Sequence, residues 1–184
     1  DGLQHYAMAR DVEIAVVDGE RGIGNGRCLP AGPLREPPSR LNEVDYVVVN
    51  GKARHGLPGN VVTMRLQPDA WVRVADGERL ALDSWQGSRR VHAVAAIGNP
   101  GRFFATLREL DLQPVEHPYE DHAVLGLAEL SFEDALPVVM TEKDAVKCRF
   151  RLPHRDYYYL QVSAQLPEGL VDGIVSRLGL TNEA

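Results

Sequence analysis

Residues Val91–Ile97 form a nearly continuous apolar run, and Gly98-Asn99-Pro100 follows at once. A run this short, with no polar alternation, suits a strand buried on both faces. Beyond Pro100, Phe103, Leu107 and Leu110 recur at spacings of four and three, the stripe of an amphipathic helix entered through a glycine–proline turn. Strand, turn and helix in that order commit this part of the chain to an α/β layer structure. The same grammar returns downstream: Pro114–His117 and Val138–Thr141 read as strands, a helix opens at Glu142, Tyr157–Val162 is a last strand, and Leu170, Val171, Ile174, Val175 and Leu178 mark a final helix.

The first fifty residues contain two further strand-like runs, Val12–Val17 and Asp45–Asn50, both read as buried and both ended by turn pairs. Between them lies Gly22-Ile23-Gly24-Asn25-Gly26-Arg27 and then a stretch rich in proline and glycine, a long irregular connection of the kind that often carries function. Val61–Leu66 and Trp71–Val74 predict two strands separated by a turn at Gln67–Asp69, and with Leu80–Leu82 they suggest a small antiparallel ribbon. The expected divisions are therefore 1–54, a β linker over 55–90, a second α/β domain over 91–165, and a terminal helix over 166–184.

The balance of 20 basic and 26 acidic residues, net −6, argues against a nucleic-acid-binding protein. No apolar stretch approaches the about 18 residues of a membrane span. Cys28 and Cys148 are too few for a disulfide framework and read as reduced thiols. The chain begins with Asp1, which suggests that upstream sequence is absent.

Four segments could carry chemistry. Gly22, Gly24 and Gly26 fit neither a phosphate-binding P-loop nor a dinucleotide fingerprint, and leave open a plain turn or an anion cradle helped by Arg27 and Arg35. Asp1-Gly2-Leu3-Gln4-His5 offers a carboxylate, an amide and an imidazole, a set suited to Mg²⁺ or a nucleotide if a strand precedes it. Glu120-Asp121-His122 is an acid–base candidate, because an imidazole exchanges protons near neutral pH; a surface loop histidine is the alternative. Thr141 with Asp144 three residues on reads as a helix cap, which explains Asp144 structurally. Lys143, Lys147, Arg149, Arg151 and Arg155 lead towards Tyr157-Tyr158-Tyr159, a run that is either a solvated face or a contact for an anionic membrane surface.

Together these segments resemble the tetraacyldisaccharide 4′-kinase family. The resemblance rests on Asp1–His5, on Val17–Arg27 with Leu29–Pro37, on Ile97–Pro100 with Phe103-Phe104, on Asp121-His122, and on Met140–Cys148. It implies a P-loop kinase that moves the γ-phosphate of ATP, with Mg²⁺, to the 4′-hydroxyl of a lipid disaccharide 1-phosphate at the cytoplasmic face of the bacterial inner membrane. The implied fold is a nucleotide-binding α/β domain, a two-stranded linker and a second α/β sandwich domain, of which this chain is the C-terminal part. Asp1 would lie at the metal and Gln4 near the nucleotide or metal. Gly24, Asn25, Arg27 and Arg35 would hold the lipid headgroup, and His122 would assist in activating the sugar hydroxyl. The family's P-loop falls upstream of Asp1, so the 184 residues taken alone are expected neither to bind ATP tightly nor to transfer phosphate. A non-catalytic anion- or membrane-binding module and another P-loop NTPase are the alternatives.

Overall fold

The computed structural model describes residues 2–53, 56–148 and 156–180. The chain divides into two compact units, one built from residues up to Gln67 together with those from Ala164 onward, the other from Pro68–Ser163.

In the first unit, β1 (Ile14–Asp18), β2 (Tyr46–Asn50) and the start of β3 (Val61–Arg73) lie side by side in parallel, with Val16 opposite Val48 and Val48 opposite Val62. Val47, Val48 and Val49 of β2 are all buried, as a central strand requires. β1 differs from its expectation. Ala15 is buried and Val17 packs on the same core, but Ile14 and Val16 are 40% and 64% exposed. The run reads as apolar throughout, yet only one face of β1 is covered. The closing helix, labelled α4 in chain order (Leu170–Arg177), belongs to this unit: a side chain at Gly173 would meet the Tyr46 hydroxyl at 2.5 Å, and Arg177 pairs with Asp45 at 2.7 Å. Of its apolar stripe only Leu170 is buried, and Val171 is exposed.

In the second unit, β5 (Arg90–Ala95) runs parallel to β6 (Gln113–Pro118) on one side and β7 (Val138–Thr141) on the other, and β7 runs parallel to β8 (Tyr157–Gln165). Pro68 onward continues β3, which pairs antiparallel with β4 (Arg79–Ala81) from Ala70 to Val72. The expected turn at Gln67–Asp69 does not occur; β3 passes through Pro68 as one strand. Strand periodicity sorts the core into two layers. Val91, Ala93, Ala95, Val139 and Leu160 face Trp71, Trp85 and the helix α1 (Pro100–Glu109), which contributes Phe103, Phe104 and Leu107. Val94, Ala96, Val138, Met140 and Tyr157 face Leu125, Leu130 of α2 (Leu127–Leu130), and Ala145 and Cys148 of α3 (Glu142–Cys148). The sheet is thus covered on both faces, which accounts for the unbroken apolar reading of β5.

The chain leaves β5 for β6 on one side and then returns to β7 on the other. In an open α/β sheet the loops at the carboxyl ends of strands diverging this way form a crevice. Here they are 96–99, 119–126 and the junction at Thr141.

Candidate functional site

In the first unit the covered and uncovered faces of β1 border a cleft of about 760 Å³. Its apolar wall includes Ile14, Val16, Ile23 and Leu34, and its polar rim includes Gln4, Asp18, Arg21 and Arg35. Gln4 ends a single 3₁₀ turn, Gly2–Gln4, and Arg35 Nη1 donates to Gln4 Oε1 at 3.4 Å across thirty-one residues. Arg10 and Arg40 also reach the cleft, but Glu13 accepts from both, at 2.7 and 2.8 Å. The Arg40 guanidinium holds the Glu13 carboxyl below the usual range.

The glycine-rich segment is a folded loop, not a loose turn. Gly22, Gly24 and Gly26 all take positive φ, and the amide of each bonds back to the chain three or four residues earlier. The Asn25 side chain is engaged within the loop: Nδ2 donates to the Ala31 carbonyl at 2.9 Å and Oδ1 accepts from the Arg27 amide at 3.1 Å. Gly32 sits where a Cβ would meet Asn25 Oδ1 at 2.2 Å and the Arg27 carbonyl at 2.3 Å. Arg27 is exposed on this loop. Of the headgroup residues implied by resemblance, Arg35 alone lines the cleft, where the loop's Gly22–Ile23 edge joins it; Gly24, Asn25 and Arg27 form the loop behind that edge. Asp1 lies outside the described residues, as do Arg149, Arg151 and Arg155.

Arg21, Asp18 and the exposed apolar residues of β1 were not singled out from sequence. Asp18 is a carboxylate at a strand's carboxyl end, a legible signal, and its Oδ1 accepts from the amides of Glu20 and Arg21 at 2.9 and 3.0 Å. Among the described residues no three or more His, Cys, Asp or Glu side chains are grouped to hold a metal ion.

In the second unit, His122 lies in the crevice loop after β6. Its φ of +66°, uncommon for a residue with a side chain, carries an imidazole that is 76% exposed. His122 Nε2 is 3.9 Å from Asp121 Oδ2, and Lys143 Nζ donates to Asp121 Oδ1 at 3.1 Å. The Lys143 hydrogen bond, opposed in part by desolvation, holds the Asp121 carboxyl below the ordinary carboxylate range. Thr141 caps α3 as expected: its hydroxyl accepts from the Asp144 amide at 3.3 Å and donates to Asp144 Oδ2 at 2.7 Å. The same Oδ2 accepts from the Ala96 amide at 3.0 Å, so the fully buried Asp144 ties the end of β5 to the start of α3.

Residues 1–179 match the family model for tetraacyldisaccharide-1-P 4′-kinase. The chain belongs to the tetraacyldisaccharide 4′-kinase family. A tetraacyldisaccharide 4′-kinase of Pseudomonas putida is 55% identical over 165 residues, which are 90% of this chain and 49% of that protein. The one from Ectopseudomonas mendocina is 52% identical over 178 residues, 97% of this chain and 53% of that protein. The chain therefore spans about half the length of the curated relatives it matches. A crystal structure of the Aquifex aeolicus family member in complex with ATP superposes with a TM-score of 0.68, at 23% identity, over 97% of this chain and 56% of that one. That likeness bears out the α/β fold expected of a 4′-kinase family member.

Proposed function

We propose that this chain forms the acceptor-holding portion of an ATP-dependent kinase that phosphorylates the 4′-hydroxyl of a tetraacyldisaccharide 1-phosphate. The observation that carries the reading is the cleft of the first unit, where the Arg21 and Arg35 rim adjoins exposed Ile14 and Val16. An anionic sugar headgroup attached to acyl chains needs both a cationic rim and an apolar wall. Burying apolar surface contributes about 25 cal/mol per Å², and an arginine fork matches phosphate oxygens.

Phosphoryl transfer depends on positioning and on neutralising charge. Arg35, with Gln4 beside it, would hold the acceptor's anionic group. An imidazole nitrogen of His122 would take the proton of the 4′-hydroxyl as that oxygen bonds to the γ-phosphorus and the bond to the ADP oxygen breaks. ATP with Mg²⁺ would be the phosphate donor. Among the described residues no three or more His, Cys, Asp or Glu side chains are grouped to hold Mg²⁺. An amphiphilic acceptor favours work at the cytoplasmic face of the inner membrane, and no helix among the described residues is long and apolar enough to cross a membrane.

The gene product assayed with radiolabelled ATP, Mg²⁺ and the lipid disaccharide tests the reading. Arg35→Ala should raise KM about tenfold or more with a smaller change in kcat, the pattern of lost binding common to ground and transition states. His122→Ala should lower kcat about a hundredfold. An unchanged KM in the first variant would remove the cleft from acceptor binding.

A further inference from the structure

Adjacent side chains ordinarily point apart, yet the positive φ of His122 brings its imidazole back to within 3.9 Å of Asp121 Oδ2. The other oxygen of that carboxylate is held by Lys143 at 3.1 Å. Lys143 stands in the first turn of α3, and its neighbour Asp144 is buried and bonded to Ala96, Thr141 and Lys147, so the backbone that carries Lys143 is anchored to β5 and β7. The result is an ordered line of ammonium, carboxylate and imidazole, in which only the ammonium is tied to the rigid sheet.

We propose that Lys143 is a positioning residue for His122, acting through Asp121. The inference rests on the proton-transfer role given to His122 above. Two physical effects follow. The ammonium takes one carboxylate oxygen and so leaves the other turned towards the imidazole, the arrangement in which a base is oriented by a third group. Its positive charge also offsets part of the field that the carboxylate sets up at the imidazole. The charged groups on the same segment are Glu120 and Asp121; those of α3 are Glu142, Lys143, Asp144 and Lys147, the last two paired with each other at 3.2 Å. Lys143 is thus the cation that meets Asp121 directly.

Nuclear magnetic resonance titration of the histidine rings in the 184-residue chain, with His122 assigned by His122→Gln, reads the coupling without any catalysis. Lys143→Met should raise the His122 midpoint by about 0.5 to 1 pH unit, the effect of unmasking one carboxylate near 4 Å in mostly solvated surroundings. Lys143→Arg should restore it to within about 0.2 unit, and Asp121→Asn should lower it. In the kinase assay, the acid limb of kcat/KM for Lys143→Met should move up by the same amount. An unmoved His122 midpoint in Lys143→Met overturns the inference, whatever happens to the rate. A normal kcat in His122→Ala overturns instead the role on which it rests. Tryptophan fluorescence confirms that each variant is folded, since Trp71 and Trp85 both report on this unit.

Discussion

Replacing Asp144 by alanine should unfold the second unit at much lower denaturant, although Asp144 is exposed to nothing. The carboxylate accepts from the Ala96 amide, the Thr141 hydroxyl and the Lys147 ammonium, and none of its surface reaches solvent. In Asp144→Ala the buried Ala96 N–H loses its acceptor, a cost of about 1–3 kcal/mol. Thr141 keeps the residue 144 amide but loses the carboxylate to which its hydroxyl donates, adding about 1 kcal/mol. Lys147 is 29% exposed and turns to water, so its loss adds little. The sum, about 3 kcal/mol, falls at the low end of what removing one member of a buried pair costs. With a urea slope of about 1.5 kcal/mol per molar, the midpoint should fall by about 2 M. The assay is urea unfolding followed by tryptophan fluorescence, because both tryptophans lie in this unit with rings 5.0 Å apart. Asp144→Asn, which keeps one acceptor for Ala96, should fall between. A midpoint for Asp144→Ala within about 0.5 M of the parent would refute the reasoning.

Two further outcomes follow from polar and steric contacts. His92 Nδ1 lies 2.9 Å from His117 Nε2 while His92 Nε2 meets Asp134 at 2.9 Å, and burial first, then the His92 charge, pushes the His117 pKa down. A histidine whose folded pKa lies below its unfolded value near 6.5 adds stability above that pH and loses it as pH falls through the folded value. The second unit should therefore show a lower urea midpoint at pH 5 than at pH 7.5, and His117→Phe should shrink that difference; an undiminished difference would place the pH sensitivity elsewhere. Gly32→Ala should cost about 1–3 kcal/mol of loop order, because its Cβ would collide with Asn25 and the Arg27 carbonyl, and amide exchange over residues 22–35 should speed up accordingly.

What could be read from the sequence was whatever local spacing encodes. The β5 run, the α1 stripe and the Thr141–Asp144 cap each depend on residues a few positions apart, and each stands in the fold as expected. Exposure of β1 was not legible, because an apolar run does not say whether one or both faces of its strand are covered. The continuity of β3 was hidden by Pro68, which normally breaks a strand. It falls between Met64, the last residue paired with β2, and Ala70, the nearest paired with β4. The cleft unites Gln4 with Arg35, and the His92 cluster unites residues twenty-five and forty-two apart. No periodicity links such positions, so Gln4 and Arg35 were each candidates in the sequence, but their meeting, like the whole His92 cluster, emerged only through the fold.

The first unit takes α4 from the far end of the chain, with Gly173 against Tyr46 and Arg177 on Asp45. This has a consequence for synthesis on the ribosome. Domains usually complete in the order in which they are made, at about 5–20 residues per second. Here β2 is made before Pro68–Ser163, but the helix that packs at its start follows only after that whole stretch, a delay of roughly 5–20 s. The second unit has all its own residues before α4 exists. The later part of the chain should therefore mature first, while Tyr46 and Asp45 wait through that interval for Gly173 and Arg177.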